Sequence, residues 1–202
     1  MTQVAKLLTD LTPEQMRSRL LDLICQKAYQ EGDFVLSSGQ PSSYYINGKQ
    51  VTLHPQGALM IGQLLLSYLG PEVVGVAGLT LGADPMVTAV SLVGLYAHRE
   101  IFPLIIRKQA KGHGTRAYIE GINLPGGSLI TVLEDVVTTG QSALQAVERL
   151  QEADYRIDQV LALVDRQQGG AELYRDRGLA FTALFTLEDV QTRYRQTKKI
   201  TG

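Results

Sequence analysis

The segment ITVLEDVVTTGQSALQAV, residues 130–147, decides the fold of this chain. Its apolar run ends in two adjacent acids, Glu134 and Asp135, and a Thr-Thr-Gly turn follows at 138–140. From Gln141 onward, the apolar residues recur at the spacing of an amphipathic helix. The segment therefore predicts a buried β-strand, a tight loop and a helix, in that order.

Similar apolar runs alternate with helical patterns on both sides of this segment. Those that read as buried strands lie at 73–79, 101–107, 159–165 and 179–185. Continuous Val/Ile/Leu runs are typical of strands covered on both faces, and alternation with helices implies parallel crossovers. We therefore predict an α/β fold: a doubly wound, mostly parallel sheet of about five strands flanked by helices.

The N-terminal quarter reads differently, and we expect residues 1–50 to form a small separate layer before a core of residues 51–202. A Thr-Pro-Glu-Gln capping box at 12–15 predicts a helix that reaches about Tyr29. Residues 34–49 read as two short strands around a Gly-Pro-Ser turn. Within the core, Asp84-Pro85 is expected to cap a helix.

Composition excludes several classes of function. The net charge of −1 gives no global field for nucleic acid or an acidic membrane, so neither is expected as a partner. The single cysteine, Cys25, leaves no internal disulfide and no cysteine-based zinc site. The first ten residues show no signal-peptide pattern, and no apolar run approaches the ~20 residues that span a bilayer. The expected location is the cytoplasm.

The strand–loop–helix unit has the chemistry of a sugar phosphate site. Ligands of such sheets bind beyond the carboxyl ends of the strands, and free amides at a helix N-terminus attract phosphate. Gly140 lets backbone approach closely, while Thr138, Thr139 and Ser142 add hydroxyl donors. The acids can accept hydrogen bonds from sugar hydroxyls or help to position a cation. The alternative is that acids at strand ends are common and that Thr and Ser are ordinary caps.

Known nucleotide motifs are absent, since neither a P-loop nor a G-x-G-x-x-G pattern occurs. Instead, VLEDVVTTGQS resembles the phosphoribosyl-pyrophosphate (PRPP) motif of the type I phosphoribosyltransferases. That resemblance implies that the acids hold the ribose hydroxyls, that the loop holds the 5′-phosphate, and that Asp135 belongs to the catalytic residues. It implies Mg²⁺ as a cofactor, bound mainly through PRPP and water near the two acids, without direct side-chain ligation. The PRPP-binding residues implied here are Glu134, Asp135, Val136, Val137, Thr138, Thr139, Gly140, Gln141 and Ser142.

A basic stretch, IIRKQAKGHGTRAYIEG at 105–121, carries five cationic or titratable side chains within ten residues. Such a long connection is often a lid that closes on substrate, although a solvated surface loop is the common alternative. Its RKxxKxHG pattern resembles the catalytic loop of orotate phosphoribosyltransferases. The resemblance implies that the loop crosses the interface of a homodimer and binds PRPP, with catalytic roles for Lys111 and His113. The PRPP-binding residues of the loop are Arg107, Lys108, Lys111 and His113.

Two further stretches resemble the same family. VDRQQGG at 164–170 matches a segment whose arginine, here Arg166, binds the orotate carboxylate, and Thr138 matches a loop threonine that contacts orotate. FVLSSGQPSSYYIN at 34–47 matches the hood over the base. The chain departs from the family pattern where some members have lysines: Ser37 and Pro41 stand in the hood, and GLTLGADP at 78–85 has none.

We expect backbone amides around 80–83 to bind anions in place of the lysine missing from 78–85. Lys49 is a candidate substitute for a lost lysine, against the alternative that it is only a solvated side chain.

These motifs predict an enzyme that joins orotate to PRPP, giving orotidine 5′-monophosphate and pyrophosphate in UMP biosynthesis. Three alternatives stay open on sequence. The acceptor could be another base, although an arginine suits a carboxylate. The chain could be a PRPP-sensing regulator that binds nucleic acid, although its basic tail at 192–202 is short and is expected to be a solvated end. It could also be a structural domain with coincidental motifs.

Overall fold

The computed structural model describes residues 10–35, 39, 41–111 and 118–201. Short and long strands alternate with helices along this part of the chain. The strands are β1 (Tyr29–Val35), β2 (Pro41–Ile46), β3 (Gly75–Leu79), β4 (Phe102–Ile106), β5 (Ile119–Glu120), β6 (Ile130–Val137), β7 (Gln159–Asp165) and β8 (Ala180–Thr186). The helices are α1 (Pro13–Lys27), α2 (Lys49–Thr52), α3 (Pro55–Leu66), α4 (Asp84–Tyr96), α5 (Gln141–Glu152), α6 (Gly170–Asp176) and α7 (Leu187–Thr201).

The main sheet has six strands in the order β5-β4-β3-β6-β7-β8. All neighbours pair in parallel except the edge strand β5, which pairs antiparallel with β4. The predicted α/β fold with its mostly parallel sheet is confirmed, and its five expected strands are β3, β4, β6, β7 and β8. The sixth strand escaped prediction because it has only two residues, too few to show a period of its own.

The sheet separates two hydrophobic cores. On one face, β6 residue Leu133 belongs to a cluster with side chains of α1, α3, α4 and α7. On the other face, its neighbour Val132 belongs to a cluster with α5 and with Tyr174 of α6. Successive residues of a strand point to opposite faces, so burial on both faces requires a continuous apolar run. That is why these strands lack the polar alternation of a sheet with one wet face.

The N-terminal region contains α1 and a separate antiparallel pair, β1 and β2. The predicted capping box is present, with reciprocal hydrogen bonds between Thr12 and Gln15. Helix α1 ends at Lys27, because Tyr29 already begins β1. The sequence reading placed the first strand only from Phe34, since the polar residues before it carry no strand period. A domain boundary at residue 50 stays a prediction.

One further expectation was wrong. Asp84 does not cap α4: it is the first helical residue, Ala83 precedes it as the cap, and the Asp84 carboxylate accepts a hydrogen bond of 2.7 Å from the Thr80 hydroxyl. The basic tail, expected to be a solvated end, forms most of α7, and its side chains at 192, 195, 196 and 198 are exposed. That helix starts with a reciprocal Thr186–Asp189 cap, which was readable as a T-x-x-D signal.

Helix α7 is held against α1. Its Val190 is fully buried, and Arg193 contacts Asp22 at 2.9 Å and Ser18 at 3.0 Å. Burial of the apolar side of an amphipathic helix is the main source of such stability. The basic character of the tail is therefore used in part for intramolecular ion pairing.

Candidate active site

The site lies where the sheet order reverses, at the carboxyl ends of β3 and β6. From β3 the chain continues to β4 on one side, and from β6 it continues to β7 and β8 on the other. Their following helices, α4 and α5, contribute to the cores of opposite faces. A crevice opens at such a switch point, and ligands of open α/β sheets bind there.

The predicted phosphate loop, residues 138–140, forms a small cup of about 70 Å³ in front of α5. Gly140 has φ +83°, a conformation that side chains rarely adopt. A Cβ atom there would lie 3.0 Å from the Tyr174 ring and 3.1 Å from the Gly170 Cα, so any side chain would crowd α6. The free amides of the α5 N-terminus then face a cup suited to a compact anion. The cup is lined by Glu134, Val136, Val137, Thr138, Thr139, Gly140, Gln141, Ser142, Ala143 and Tyr174.

The two acids are both buried, each with 8% exposure, but they occupy different surroundings. Glu134 lines the phosphate cup together with Tyr174. Asp135 points to the opposite face of β6, where its carboxylate is enclosed by Gly48 and Gly82. A Cβ atom on these glycines would lie 2.9 Å and 2.3 Å from a carboxylate oxygen, so both must be glycine for the backbone to approach.

Burial is the main influence on the titration of both acids. It raises the pKa of Glu134 to about 8, with the charge of Asp135 as the next cause, while Lys108 and Lys49 act in the opposite direction. Burial also raises the pKa of Asp135, and Lys49 is the first of the groups that lower it. The charged forms are therefore poorly stabilised without a ligand, and a ligand that brings hydroxyl donors or a cation would stabilise them.

A larger pocket of about 400 Å³ joins these acids to the turn after β3. The turn contains a cis peptide bond between Thr80 and Leu81. Lys108, predicted to bind PRPP, lies in this pocket next to the acids. Its lining is Lys49, Leu79, Thr80, Leu81, Gly82, Lys108, Glu134, Asp135 and Ser142.

The other described cations of the basic segment, residues 107–111, do not reach these acids. Arg107 forms an ion pair of 2.8 Å with Glu120 of β5, and Lys111 lies 3.8 Å from the same carboxylate. Arg149 of α5 donates hydrogen bonds to the carbonyls of Arg107 and Lys108. The structure thus places Arg107 and Lys111 together but away from Asp135, and His113 lies outside the described residues.

The two side chains assigned to orotate are brought together. Arg166, at the end of β7, donates a hydrogen bond of 3.3 Å to the Thr138 hydroxyl. It also donates to the hydroxyl of Tyr44 at 2.9 and 3.1 Å, and stacks near that ring. Tyr44 belongs to β2, so the hood contacts the site through this residue. Sequence reasoning did not single out Tyr44, although the hood motif contains it.

The described part of the chain contains neither a membrane-spanning helix nor a metal-ligand cluster. No helix in that part of the chain is long and apolar enough to cross a membrane. Nor does it contain a group of three or more His, Cys, Asp or Glu side chains placed to hold a metal ion.

A parallel sheet with a buried acid pair, a glycine-containing phosphate loop and a separate two-stranded hood defines the class of type I phosphoribosyltransferases. No family model matches the chain. The orotate phosphoribosyltransferase of Nostoc sp. is 68% identical over 181 residues, covering 90% of this chain and 88% of that protein. The chain belongs to the orotate phosphoribosyltransferase family.

Other relatives agree with this assignment. The orotate phosphoribosyltransferase of Synechocystis sp. is 62% identical, over 90% of this chain and 92% of that protein. A crystal structure of the Mycobacterium tuberculosis orotate phosphoribosyltransferase, in complex with Fe(III) dicitrate, has a TM-score of 0.77 and 35% identity, covering 87% and 98% of the two chains. The structure of the same enzyme with PRPP has a TM-score of 0.73 and 32% identity, covering 87% and 99%. The resemblance drawn from the motifs, and the prediction of a pentosyltransferase enzyme, are thereby confirmed.

Proposed function

We propose that this chain transfers the ribose 5-phosphate group of PRPP to orotate, forming orotidine 5′-monophosphate and pyrophosphate in UMP biosynthesis. The observation that carries the proposal is the convergence of three features at one edge of the sheet: the phosphate loop, the buried acid pair and the Arg166–Thr138 contact. Because Arg166 lies next to the phosphate loop, an acceptor bound there is close to the sugar.

The PRPP molecule would bind across β6. Its 5′-phosphate would occupy the cup of the phosphate loop, where amides and hydroxyls donate hydrogen bonds. Its ribose hydroxyls would donate to the carboxylates of Glu134 and Asp135, which burial leaves in need of donors. Its pyrophosphate would extend into the larger pocket beside the turn after β3. This arrangement holds the anomeric carbon at a fixed distance from the acceptor.

We propose Mg²⁺ as the cofactor. The buried Oε2 atom of Glu134 has no hydrogen-bond partner among the described residues, and carboxylate oxygens are hard ligands that suit Mg²⁺ or its water shell. When bound, the ion would neutralise charge on pyrophosphate. Glu134 and Asp135 would hold it mainly through water and substrate rather than by direct ligation.

The orotate carboxylate would pair with the Arg166 guanidinium, since arginine offers a planar pair of donors that matches a carboxylate. In the structure those donors are taken by the hydroxyls of Tyr44 and Thr138. The Tyr44 hydroxyl would give up these hydrogen bonds and its ring would cover the base, while Thr138 would contact the acceptor. This assignment distinguishes orotate from uncharged bases.

Departure of pyrophosphate requires cations from the basic loop. Lys111 and His113 would stabilise or protonate the departing oxygens, and Arg107 and Lys108 would bind the phosphates. Lys108 lies beside the acids of its own chain, but Arg107 and Lys111 lie away from them, so we propose a homodimer in which the loop reaches into the partner's site. Exposed apolar side chains on α4 support a subunit interface, with Leu92, Leu95 and Tyr96 at 57%, 64% and 87% exposure. The proposed location is the cytoplasm, with no nucleic-acid or membrane partner.

The test is a spectrophotometric assay of orotate consumption with PRPP and Mg²⁺. We expect turnover with orotate and little with adenine, hypoxanthine or uracil in the same assay. Preference for one of those bases would reject the assignment of the acceptor. Absence of turnover with every base, in a protein that binds PRPP in calorimetry, would favour a regulator over an enzyme.

A further inference from the structure

We propose that Lys49 is a pyrophosphate-binding residue of this site, an inference that rests on the proposed function. Lys49 is the first residue of α2 and is exposed to solvent. It lines the larger pocket together with both acids and with the turn after β3. It forms no salt bridge with any described residue, so its ammonium group is available to a ligand.

The backbone places Lys49 with little freedom. Gly48 packs directly on Asp135, where a Cβ atom would lie 2.9 Å from the carboxylate. The next residue must therefore emerge beside that carboxylate. The Lys49 carbonyl accepts a hydrogen bond of 3.1 Å from the amide of Leu53, which closes the turn of α2. A lysine on such a fixed base reaches the pocket from the side of Asp135.

The two lysines of the pocket differ in the acids on which they act. Lys108 and Lys49 both act on Glu134, whereas Lys49 is the lysine that acts on Asp135. With both acids ionised, the lining carries two ammonium groups and two carboxylates, a formal sum of zero. Without Lys49 the sum is −1, and the Asp135 side of the pocket repels an anion. A pyrophosphate bound there would be stabilised by this cation.

The turn after β3 strengthens the argument, because its described residues 79–83 carry no basic side chain. Backbone amides can donate to phosphate oxygens there, but they do not supply net positive charge. Hydrogen bonds from a charged donor are shorter and stronger than those from a neutral one. Lys49 thus supplies, from α2, the positive charge that this turn lacks.

Three variants separate a charge contact from a structural role. Lys49→Met keeps the apolar stem and removes the charge, Lys49→Arg keeps the charge, and Lys198→Met removes an exposed lysine on α7 that lines none of the pockets described here. Each is measured twice: by calorimetry with pyrophosphate and Mg²⁺, and by steady-state kinetics of the reverse reaction from orotidine 5′-monophosphate and pyrophosphate.

We expect Lys49→Met to weaken pyrophosphate binding and to raise its KM on the order of tenfold, which is the usual effect of losing a hydrogen bond to a charged group. The KM of the nucleotide should stay unchanged, Lys49→Arg should recover most of the affinity, and Lys198→Met should behave as wild type. The effect of Lys49→Met should also shrink at high salt.

Unchanged pyrophosphate affinity in Lys49→Met would overturn the inference. Equal losses in Lys49→Met and Lys49→Arg, or an equal rise in both KM values, would assign Lys49 a structural role instead. A wild-type protein that binds no pyrophosphate also rejects it. A wild-type protein that binds pyrophosphate through Lys49 but turns over no orotate would reject the proposed function and leave this inference standing.

Discussion

The phosphate loop after β6 and the basic segment after β4 leave the same edge of the same sheet, yet they present their ligand-binding groups in opposite ways. The phosphate loop is made by backbone: a left-handed Gly140, a helix N-terminus and a cup of about 70 Å³. The basic segment would bind its ligand through charged side chains, and two of these, Arg107 and Lys111, already contact Glu120. The first region is preformed, whereas the second must exchange one anionic partner for another.

The difference between the two regions follows from the roles of the two phosphate groups that they would bind. A phosphate that stays on the sugar throughout the reaction needs a fixed cradle. A leaving pyrophosphate needs cations that reach it when its charge develops. An interaction raises the rate only if it is stronger in the transition state than with the bound substrate. The comparison therefore predicts that changes in the phosphate loop affect folding and binding together. Changes in the basic segment should affect phosphate binding and turnover, with little effect on folding.

The largest effect is expected from Lys111→Ala. Loss of the cation that stabilises the leaving group should lower kcat on the order of a hundredfold. The free energy of unfolding should change by less than about 0.5 kcal/mol, because the pair with Glu120 spans 3.8 Å and the lysine is mostly exposed. Steady-state kinetics and urea unfolding check both, with Lys27→Ala as a surface control. Turnover equal to wild type would remove Lys111 from the chemistry.

Gly140→Ala should lower both the stability of the fold and the affinity for PRPP. The added Cβ atom meets Tyr174 at 3.0 Å and Gly170 at 3.1 Å in a backbone conformation that alanine disfavours. We expect a loss of about 1–3 kcal/mol in the free energy of unfolding, together with weaker PRPP binding in calorimetry. Gly178→Ala is the matched control, since φ there is +70° and nothing lies within 4 Å. If both variants lose stability equally and both keep PRPP affinity, the close packing behind the loop is irrelevant to the ligand.

Asp135→Asn tests the acid pair that the phosphate loop follows. The amide keeps the shape between Gly48 and Gly82 but loses acceptor strength for ribose hydroxyls, so PRPP affinity should fall about tenfold. Calorimetric titration with PRPP and Mg²⁺ measures this affinity. Asp158→Asn serves as control, because Asp158 precedes β7 at the end of the strand away from the site. Affinity equal to wild type would mean that this acid does not contact the sugar.

The titration of Glu134 gives a smaller effect on stability. Its pKa is raised from 4.5 to about 8, so between these pH values the folded chain binds more protons than the unfolded chain. The free energy of unfolding should therefore fall as pH rises through this window, by an amount on the order of 1 kcal/mol or more. Urea unfolding of the ligand-free protein across the window measures the slope. Glu134→Gln should flatten it; an equal slope in the variant would show that another group titrates.

Tyr174→Phe should have the smallest effect. The Tyr174 ring supports Gly140, but its buried hydroxyl has no partner among the described residues. Removing a buried polar group that is not hydrogen-bonded is close to neutral, within about 0.5 kcal/mol. Thermal unfolding and the PRPP affinity should both match wild type. A loss above about 1 kcal/mol would reveal a hydrogen bond to the hydroxyl, which would make the support behind the phosphate loop partly polar.

Much of the fold was predictable because its signals are local. Apolar runs broken by glycine and polar turns identified all five long strands of the main sheet, and Thr12–Gln15 identified the start of α1. The misses have specific causes. Strand β5 is two residues long, and helix α7 was not predicted because the charges of residues 192–202 dominated the reading. Asp84 was assigned as a cap on its residue type, whereas Thr80 uses its carboxylate.

The candidate site also has a part that the sequence predicted and a part that it did not. The sequence by itself determined the strand–loop–helix unit with its two acids, because residues 134–142 are contiguous and their chemistry is carried by neighbours. Only the tertiary structure decided that Asp135 is enclosed by Gly48 and Gly82, that Arg166 meets Tyr44, and that Glu120 holds Arg107. These contacts join residues distant in the chain. They depend on which strand ends meet at one edge of the sheet and on which face each side chain leaves, and no local periodicity encodes either.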